Sequence, residues 1–345
     1  MKPVRFGIVG VGNIAGFHAR AIEMVEGATL VACHARSREA GEKFALENEC
    51  EYRSTLEELL QSDNCDAIAI TTPSGTHAEI GVLAAQHGKH VLCEKPLDIS
   101  VEKIDELIAA CAAKGVLLGA IFQSRFGPGA QALKRATLQN RFGKLMQCSA
   151  YIPWFRSAQY YAGAGWRGTW QLDGGGVLMN QGIHAVDLLL WLVGEVEEVS
   201  ARIQTRLHEI EVEDNAVAWL RFKNGSLGMI QASTACFPGE SKRVEIKGER
   251  GSVTLVDDVP VFWEFETPHP DDAGVLRLRE SAQIGGGASD PKAISVEGHR
   301  AQYEDFVQAI WEKREPKISG KEGRHAVQLI RAIYDSSAQN KIIKL

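Results

Sequence analysis

The 345-residue sequence predicts an α/β protein in which a doubly wound parallel sheet is followed by an α+β region with a large, open, mostly antiparallel sheet. Three observations lead there. Early in the chain, short β-rich runs alternate with helical stretches, which is the pattern of a parallel sheet covered by helices on both faces. Beyond Phe122 the pattern changes to longer strands joined by hairpin signals. The chain also exceeds the size at which a single core stops growing, so two domains sharing a cleft are expected, divided as 1–122 and 123–345.

The elements follow in order. VRFGIVG is a strand, a helix starts at about Ile14, TLVACHA is a second strand, and DAIAIT, HVLCE and VLLGAIF continue the series with helices between them. In the second half, 173–194 reads as a helix. AVAWLRF and SLGMIQAS flank Lys223-Asn224-Gly225, a hairpin signal, and RVEIKGERGSVTLV and VFWEF add further strands. The stretch 271–291 is rich in Asp, Gly, Ser and Ala and reads as a surface loop. Two helices near 299–312 and 323–339 close the chain, and no internal repeat is present.

Composition removes several function classes. A formal net charge of -6 with mixed signs offers no basic stripe for nucleic acid. The longest apolar stretches are too short to span a bilayer, and the N-terminus enters a strand without a secretory segment, so a cytoplasmic protein is expected. Seven cysteines without a CxxC pair read as reduced, mostly buried thiols.

Gly10-Val11-Gly12-Asn13-Ile14-Ala15 lies between a strand and a helix, the context in which a GxGxxG/A match binds a dinucleotide. Gly10 permits the tight turn and Gly12 leaves room for a pyrophosphate. Ala15 lets helix and strand pack, while the free N–H groups of the helix start, around Asn13 and Ile14, face the anion. At the end of the second strand, where NAD binders place a carboxylate for the ribose, the chain has Arg36-Ser37-Arg38. Two guanidiniums and a hydroxyl suit a 2′-phosphate, so NADP is preferred to NAD.

His90-Val91-Leu92-Cys93-Glu94-Lys95-Pro96 is an apolar strand ending in two opposite charges. Ligands of open parallel sheets bind beyond the carboxyl ends of the strands, which places Glu94 and Lys95 near the cofactor and Lys95 near the substrate. An ammonium there can hold a hydroxyl and stabilise developing alkoxide charge. Thr71, Thr72 and Pro73, also at a strand end, are expected to line the cofactor site, with His77 beside them. Gln123 and Arg125, just past VLLGAIF, are candidate polar groups for cofactor and substrate respectively.

Within 173–194, helical spacing puts Asn180, His184 and Asp187 on one face and Ile183, Val186, Leu190 and Val193 largely on another. A titratable imidazole is thereby aimed away from the core, and the glycines before it allow close backbone approach. Asp187 either orients the ring or binds a backbone group. The remaining histidines lack metal-ligand spacing, so no metal is expected.

GVGNIA, Glu94-Lys95-Pro96 and GGGVLMNQGIHAVD occur in an order that resembles the glucose-fructose oxidoreductase and inositol dehydrogenase family, Gfo/Idh/MocA, over essentially the whole chain. The resemblance implies a Rossmann domain, an open-faced sheet domain, a nicotinamide cofactor, and oxidation or reduction at a CH–OH carbon of a sugar or polyol. It implies that Lys95 holds the reacting oxygen and that His184 is the general acid or base. Asn180 departs from the aspartate that many members carry, which implies that it positions substrate or imidazole instead of relaying a proton. Tyr160-Tyr161 and Gly165-Trp166-Arg167-Gly168-Thr169-Trp170 resemble the branch containing UDP-N-acetyl-2-amino-2-deoxyglucuronate dehydrogenase, which implies a nucleotide-linked sugar acid. Trp166 and Arg167 are then cofactor candidates, and Arg167 is also a clamp for a carboxylate or phosphate. Alternatives on the same fold are a free cyclitol or aldose dehydrogenase, a glycosidase that uses NAD transiently, and a non-catalytic dinucleotide sensor. Val217, Trp219, Met229 and Ile230 suggest a sheet face that is covered in a homodimer or homotetramer.

Overall fold

The computed structural model describes residues 1–163, 165–281 and 295–345. Its first sheet comprises β1 (Val4–Val9), β2 (Ala28–His34), β3 (Glu51–Arg53), β4 (Ala67–Ile70), β5 (His90–Cys93) and β6 (Leu118–Ala120), in the order β3-β2-β1-β4-β5-β6. All pairings are parallel. Strand β4 is buried at every position, as a strand covered on both faces must be. The order reverses direction at β1, the topological switch point where doubly wound sheets take their ligands. Short β3, which the apolar pattern does not announce, extends the edge.

The second sheet contains β7 (Leu145–Pro153), β8 (Val196–Gln204), β9 (Asn215–Phe222), β10 (Leu227–Ser233), β11 (Arg243–Gly248), β12 (Gly251–Val256), β13 (Val259–Phe265) and β14 (Ile343–Lys344). Their order is β13-β12-β11-β7-β10-β9-β8-β14, antiparallel except for β7 beside β10. The hairpin expected at Lys223-Asn224-Gly225 joins β9 to β10, with Gly225 at a φ of 87° where an L side chain would be strained. Along β9 burial alternates, leaving Val217 49% and Trp219 39% exposed on one face. Ile230, expected on that face, points to the buried one because it is offset by one residue from half-buried Met229.

Compactness joins residues across the expected boundary. One unit is Met1–Gln123 with Ser295–Arg324, and the other is Ser124–Ile294 with His325–Leu345. Residues 295–324 return to the first unit because helix Glu297–Glu312 buries Tyr303, Phe306 and Val307 in one core with Phe6, Ile8 and Ile22. A second difference concerns the expected loop 271–291. Residues Asp272–Ser281 form a helix, tied at its start by Asp272, which accepts hydrogen bonds from Arg141 and from the Trp263 indole. The rest of that stretch lies outside the described residues. All seven cysteines are free thiols, five of them buried. Among the described residues no helix is long and apolar enough to cross a membrane.

Candidate active site

In the first unit, Gly10 has a φ of 92°, and a Cβ there would stand 2.8 Å from the Thr72 methyl and 3.0 Å from the Thr71 carbonyl. Gly10 is therefore fixed by its turn and by close packing on the end of β4. At Gly12 a Cβ would meet nothing within 4 Å. Open space over a bare backbone, at the start of helix Ala15–Glu23 and with Ala15 fully buried beneath it, fits a pyrophosphate approaching free amide N–H groups. Gly12 and Asn13 are exposed and Ile14 is half-buried.

At the end of β2, two of the residues expected to meet a 2′-phosphate make local bonds. Ser37 Oγ accepts the Ala40 N–H as the N-cap of helix Arg38–Glu47, and Arg38 Nε donates to Glu42 at 2.7 Å. Arg36 is exposed.

Beyond β4, Thr71 Oγ1 donates to the Val9 and Gly10 carbonyls, tying this strand end to the glycine turn. Thr76 bonds both Thr72 Oγ1 and the Pro73 carbonyl. His77 is buried, with its two ring nitrogens each 2.7 Å from a carbonyl oxygen, those of Pro96 and Thr72. It therefore braces two loops.

The turn after β5 is held by its own acids. Glu94 Oε2 accepts the Lys95 N–H at 3.0 Å. Fully buried Asp98 accepts the N–H groups of Ile99, Ser100 and Ala78. Between them Lys95 is half-buried, and the Lys95–Pro96 peptide is cis. Near the end of this unit, Gln123 Oε1 is buried without a hydrogen-bond partner among the described residues.

In the second unit, the run 173–189 is buried everywhere except at Asn180 and His184, which are half-buried. The segment is a π-helix, Val177–Gly182, continuing into the α-helix Ile183–Val193. Short π-helical turns of this kind are frequent at functional sites. Asn180 Nδ2 donates to Asp173 Oδ1 at 2.7 Å, while Asp173 Oδ2 accepts the Gly168 N–H at 2.9 Å. Asp187 is buried rather than presented beside His184, because Arg125 engages it with two bonds of 2.8 and 2.6 Å. Both residues, expected to contact substrate, are only 5% and 1% exposed in their side chains.

The glycines before the helix approach the protein's own core. A Cβ on Gly176 would lie 1.7 Å from the Glu213 carbonyl oxygen, and one on Gly175 would lie 2.0 Å from the Tyr334 hydroxyl. The Glu213 carboxylate accepts the N–H groups of Gly176 and Leu178 and the hydroxyl of Tyr334. Burial pushes its pKa up to about 7 against those hydrogen bonds. Glu213 thus supplies the acceptors that the first turn of the His184 segment lacks, a role no local sequence signal announces.

Around Tyr160 two guanidiniums stack, Arg167 at 4.3 Å and Arg156 at 5.5 Å from the ring centroid. Arg167 also donates to the Tyr160 carbonyl and lies 5.5 Å from the ring of half-buried Trp166. The Tyr160 hydroxyl accepts from Gln181, next to Asn180. Arg156, 4% exposed, is held below its usual pKa by burial. It was not among the sequence candidates, since a lone arginine after Phe155 carries no pattern.

Residues 4–122 match the family model for an oxidoreductase family with an NAD-binding Rossmann fold, and 130–254 match the GFO/IDH/MocA C-terminal domain. The chain belongs to the Gfo/Idh/MocA family. It is an oxidoreductase. A myo-inositol 2-dehydrogenase of Thermotoga maritima is 28% identical, with 99% of this chain and 98% of that protein covered. The WlbA dehydrogenase of Bordetella pertussis, solved in complex with NADH and UDP-GlcNAcA, superposes with a TM-score of 0.92 at 34% identity, over 100% of this chain and 98% of that one. The WlbA dehydrogenase of Chromobacterium violaceum, solved with the same two ligands, gives 0.91 at 30% identity, covering 100% and 96%.

Proposed function

We propose that the protein is an NAD-dependent dehydrogenase acting on a CH–OH carbon of a nucleotide-linked sugar acid. The observation that carries the chemistry is the half-buried pair Asn180 and His184, the two positions that a buried, internally braced run leaves accessible. The substrate class rests on the whole-chain likeness to dehydrogenases solved with UDP-GlcNAcA.

The nicotinamide, when bound, supplies the hydride acceptor or donor. Gly10, Gly12 and the start of helix Ala15–Glu23 hold the pyrophosphate. Lys95 holds the reacting oxygen and His184 takes its proton during oxidation or returns it during reduction. Asn180, steadied by Asp173, orients the substrate or the ring. Arg167 is placed to meet an anionic group of the substrate. For the cofactor, the Arg38–Glu42 pair and the capping role of Ser37 favour NAD(H), despite the two arginines that favour NADP in the sequence. Exposed Val217 and Trp219 support a homodimer or homotetramer, which sedimentation will test.

The deciding experiment is nicotinamide reduction by the purified protein with NAD or NADP, against UDP-GlcNAcA, free aldoses and cyclitols. Turnover with UDP-GlcNAcA is expected; turnover only with free polyols overturns the substrate class. Glycoside cleavage without net nicotinamide reduction, or dinucleotide binding without any turnover, overturns the dehydrogenase. Lys95→Ala and His184→Ala each abolish turnover and leave dinucleotide binding intact; full activity in either rejects the assignment.

A further inference from the structure

Behind Lys95 the first unit buries a polar cluster whose members lie far apart in the sequence. His18 comes from helix Ala15–Glu23, Glu94 from the end of β5, and His299 and Tyr303 from helix Glu297–Glu312. His18, His299 and Tyr303 are fully buried and Glu94 is 6% exposed. His18 Nδ1 is 2.7 Å from the Tyr303 hydroxyl and His18 Nε2 is 3.0 Å from Glu94 Oε1. His299 Nε2 stands 3.6 Å from the same oxygen. The other Glu94 oxygen accepts the Lys95 N–H.

These contacts define one proton arrangement. With the Tyr303 hydroxyl donating to Nδ1, a neutral His18 carries its proton on Nε2 and donates it to Glu94. The opposite tautomer would turn a lone pair toward a carboxylate. Burial lowers the His18 pKa, which keeps the ring neutral, while Glu94, although burial opposes its charge, is held well below the usual carboxylate range by the two histidines beside it.

We propose that Tyr303, His18 and Glu94 form a buried hydrogen-bonded clamp that positions Lys95, with His299 packed beside the carboxylate. The clamp rests on the role given to Lys95 above. Helix Glu297–Glu312 supplies Tyr303, which bonds His18, and His299, which stands beside the carboxylate that accepts the Lys95 N–H. The same three side chains, His18, Glu94 and His299, present ligand atoms within 4.8 Å of one another, a spacing a metal ion could also use. Hydrogen bonding is favoured because both His18 nitrogens and both Glu94 oxygens already have short partners. The ring nitrogens of His299 lack hydrogen-bond partners among the described residues, with Nε2 standing 3.6 Å from Glu94.

The test uses the full-length protein with UDP-GlcNAcA, NADH binding measured by fluorescence, thermal melting, proton NMR and metal analysis. Glu94→Gln is isosteric but sets an N–H2 group against a donor, so it separates charge and acceptor roles from packing. Its kcat is expected to fall about 30-fold, with NADH affinity changed by less than about threefold. Tyr303→Phe keeps the ring on Phe6 and removes only the hydroxyl; kcat falls about fivefold, and adding it to Glu94→Gln costs little more. A solvent-protected imidazole N–H resonance present in the wild type shifts in both variants, because each changes a bond to the His18 ring. If Glu94→Gln does not fold, Tyr303→Phe decides alone: lower kcat at unchanged melting temperature supports the clamp, and unchanged kcat overturns it. Wild-type kcat in Glu94→Gln alongside an inactive Lys95→Ala overturns the clamp and spares the proposed function, whereas a fully active Lys95→Ala overturns both. Stoichiometric divalent metal that His299→Asn releases overturns hydrogen bonding in favour of a metal centre.

Discussion

Asn180 donates to Asp173 through a 2.7 Å hydrogen bond, and Asp173 spends its other oxygen on the Gly168 N–H. This pair gives a physical reason for the amide at position 180. An aspartate there would face the carboxylate of Asp173, and two carboxylates at that distance cannot both ionise. Asn180→Asp is therefore expected to lose at least about tenfold in kcat above neutral pH and to recover part of it as pH falls and the pair shares a proton. Combining it with Asp173→Asn restores one donor and one acceptor and should return most of the activity. A pH–rate profile of both variants checks this; wild-type behaviour of Asn180→Asp alone contradicts it.

Asp187 and Arg125 form a buried, two-pronged ion pair one helical turn after His184. Removing one member of such a pair leaves a desolvated charge without its counter-ion, which costs about 3–5 kcal/mol. Asp187→Asn should lower the urea midpoint accordingly, whereas Arg125→Met with Asp187→Leu should cost far less. Activity lost in Asp187→Asn without any loss of stability would instead return Asp187 to a direct role.

Much of the fold was legible because periodicity reports burial. Parallel strands such as β4 read as short apolar runs, and the Asn224-Gly225 turn announces its hairpin. The glycine turn and Lys95 were legible because both sit at strand ends, where an open α/β sheet puts its chemistry. What remained hidden depends on partners distant in sequence. Nothing near Gly176 shows that Glu213 will pack on it, and nothing near Asp187 shows Arg125 across 62 positions. Helical spacing sets Asp187 near His184 along the helix but could not say that Asp187 is covered and bound to Arg125. The return of helix Glu297–Glu312 to the first unit was hidden for the same reason, since its apolar stripe fits any core.

Cofactor choice offers a sharper contrast. Arg38 is exposed and directed to Glu42, so a 2′-phosphate would have to displace a carboxylate and tolerate its charge nearby. Exposed pairs of this kind are weak because water screens them, so the barrier to NADP is small. Glu42→Gln should raise kcat/KM for NADP about threefold and leave that for NAD unchanged. Equal shifts for both dinucleotides would show that the Arg38–Glu42 pair does not read the ribose.

Glu213 links the His184 segment to pH. Its pKa is raised from 4.5 to about 7, with burial the main cause, so between those values the folded state holds a proton that the unfolded chain has released. Stability is therefore highest at the acid side of this window, falls as pH rises through it, and levels off above about 7. A shift of this size corresponds to about 3 kcal/mol across the window. Glu213→Gln cannot titrate, and it keeps a single acceptor for the N–H groups of Gly176 and Leu178, so it should be less stable at pH about 5 and lack most of this decline. Urea unfolding of both proteins at pH about 5 and about 8 measures the difference directly. A decline of equal slope in the variant would assign the pH dependence elsewhere. A stability that rises with pH in the wild type would mean that the three donors around Glu213 outweigh its burial.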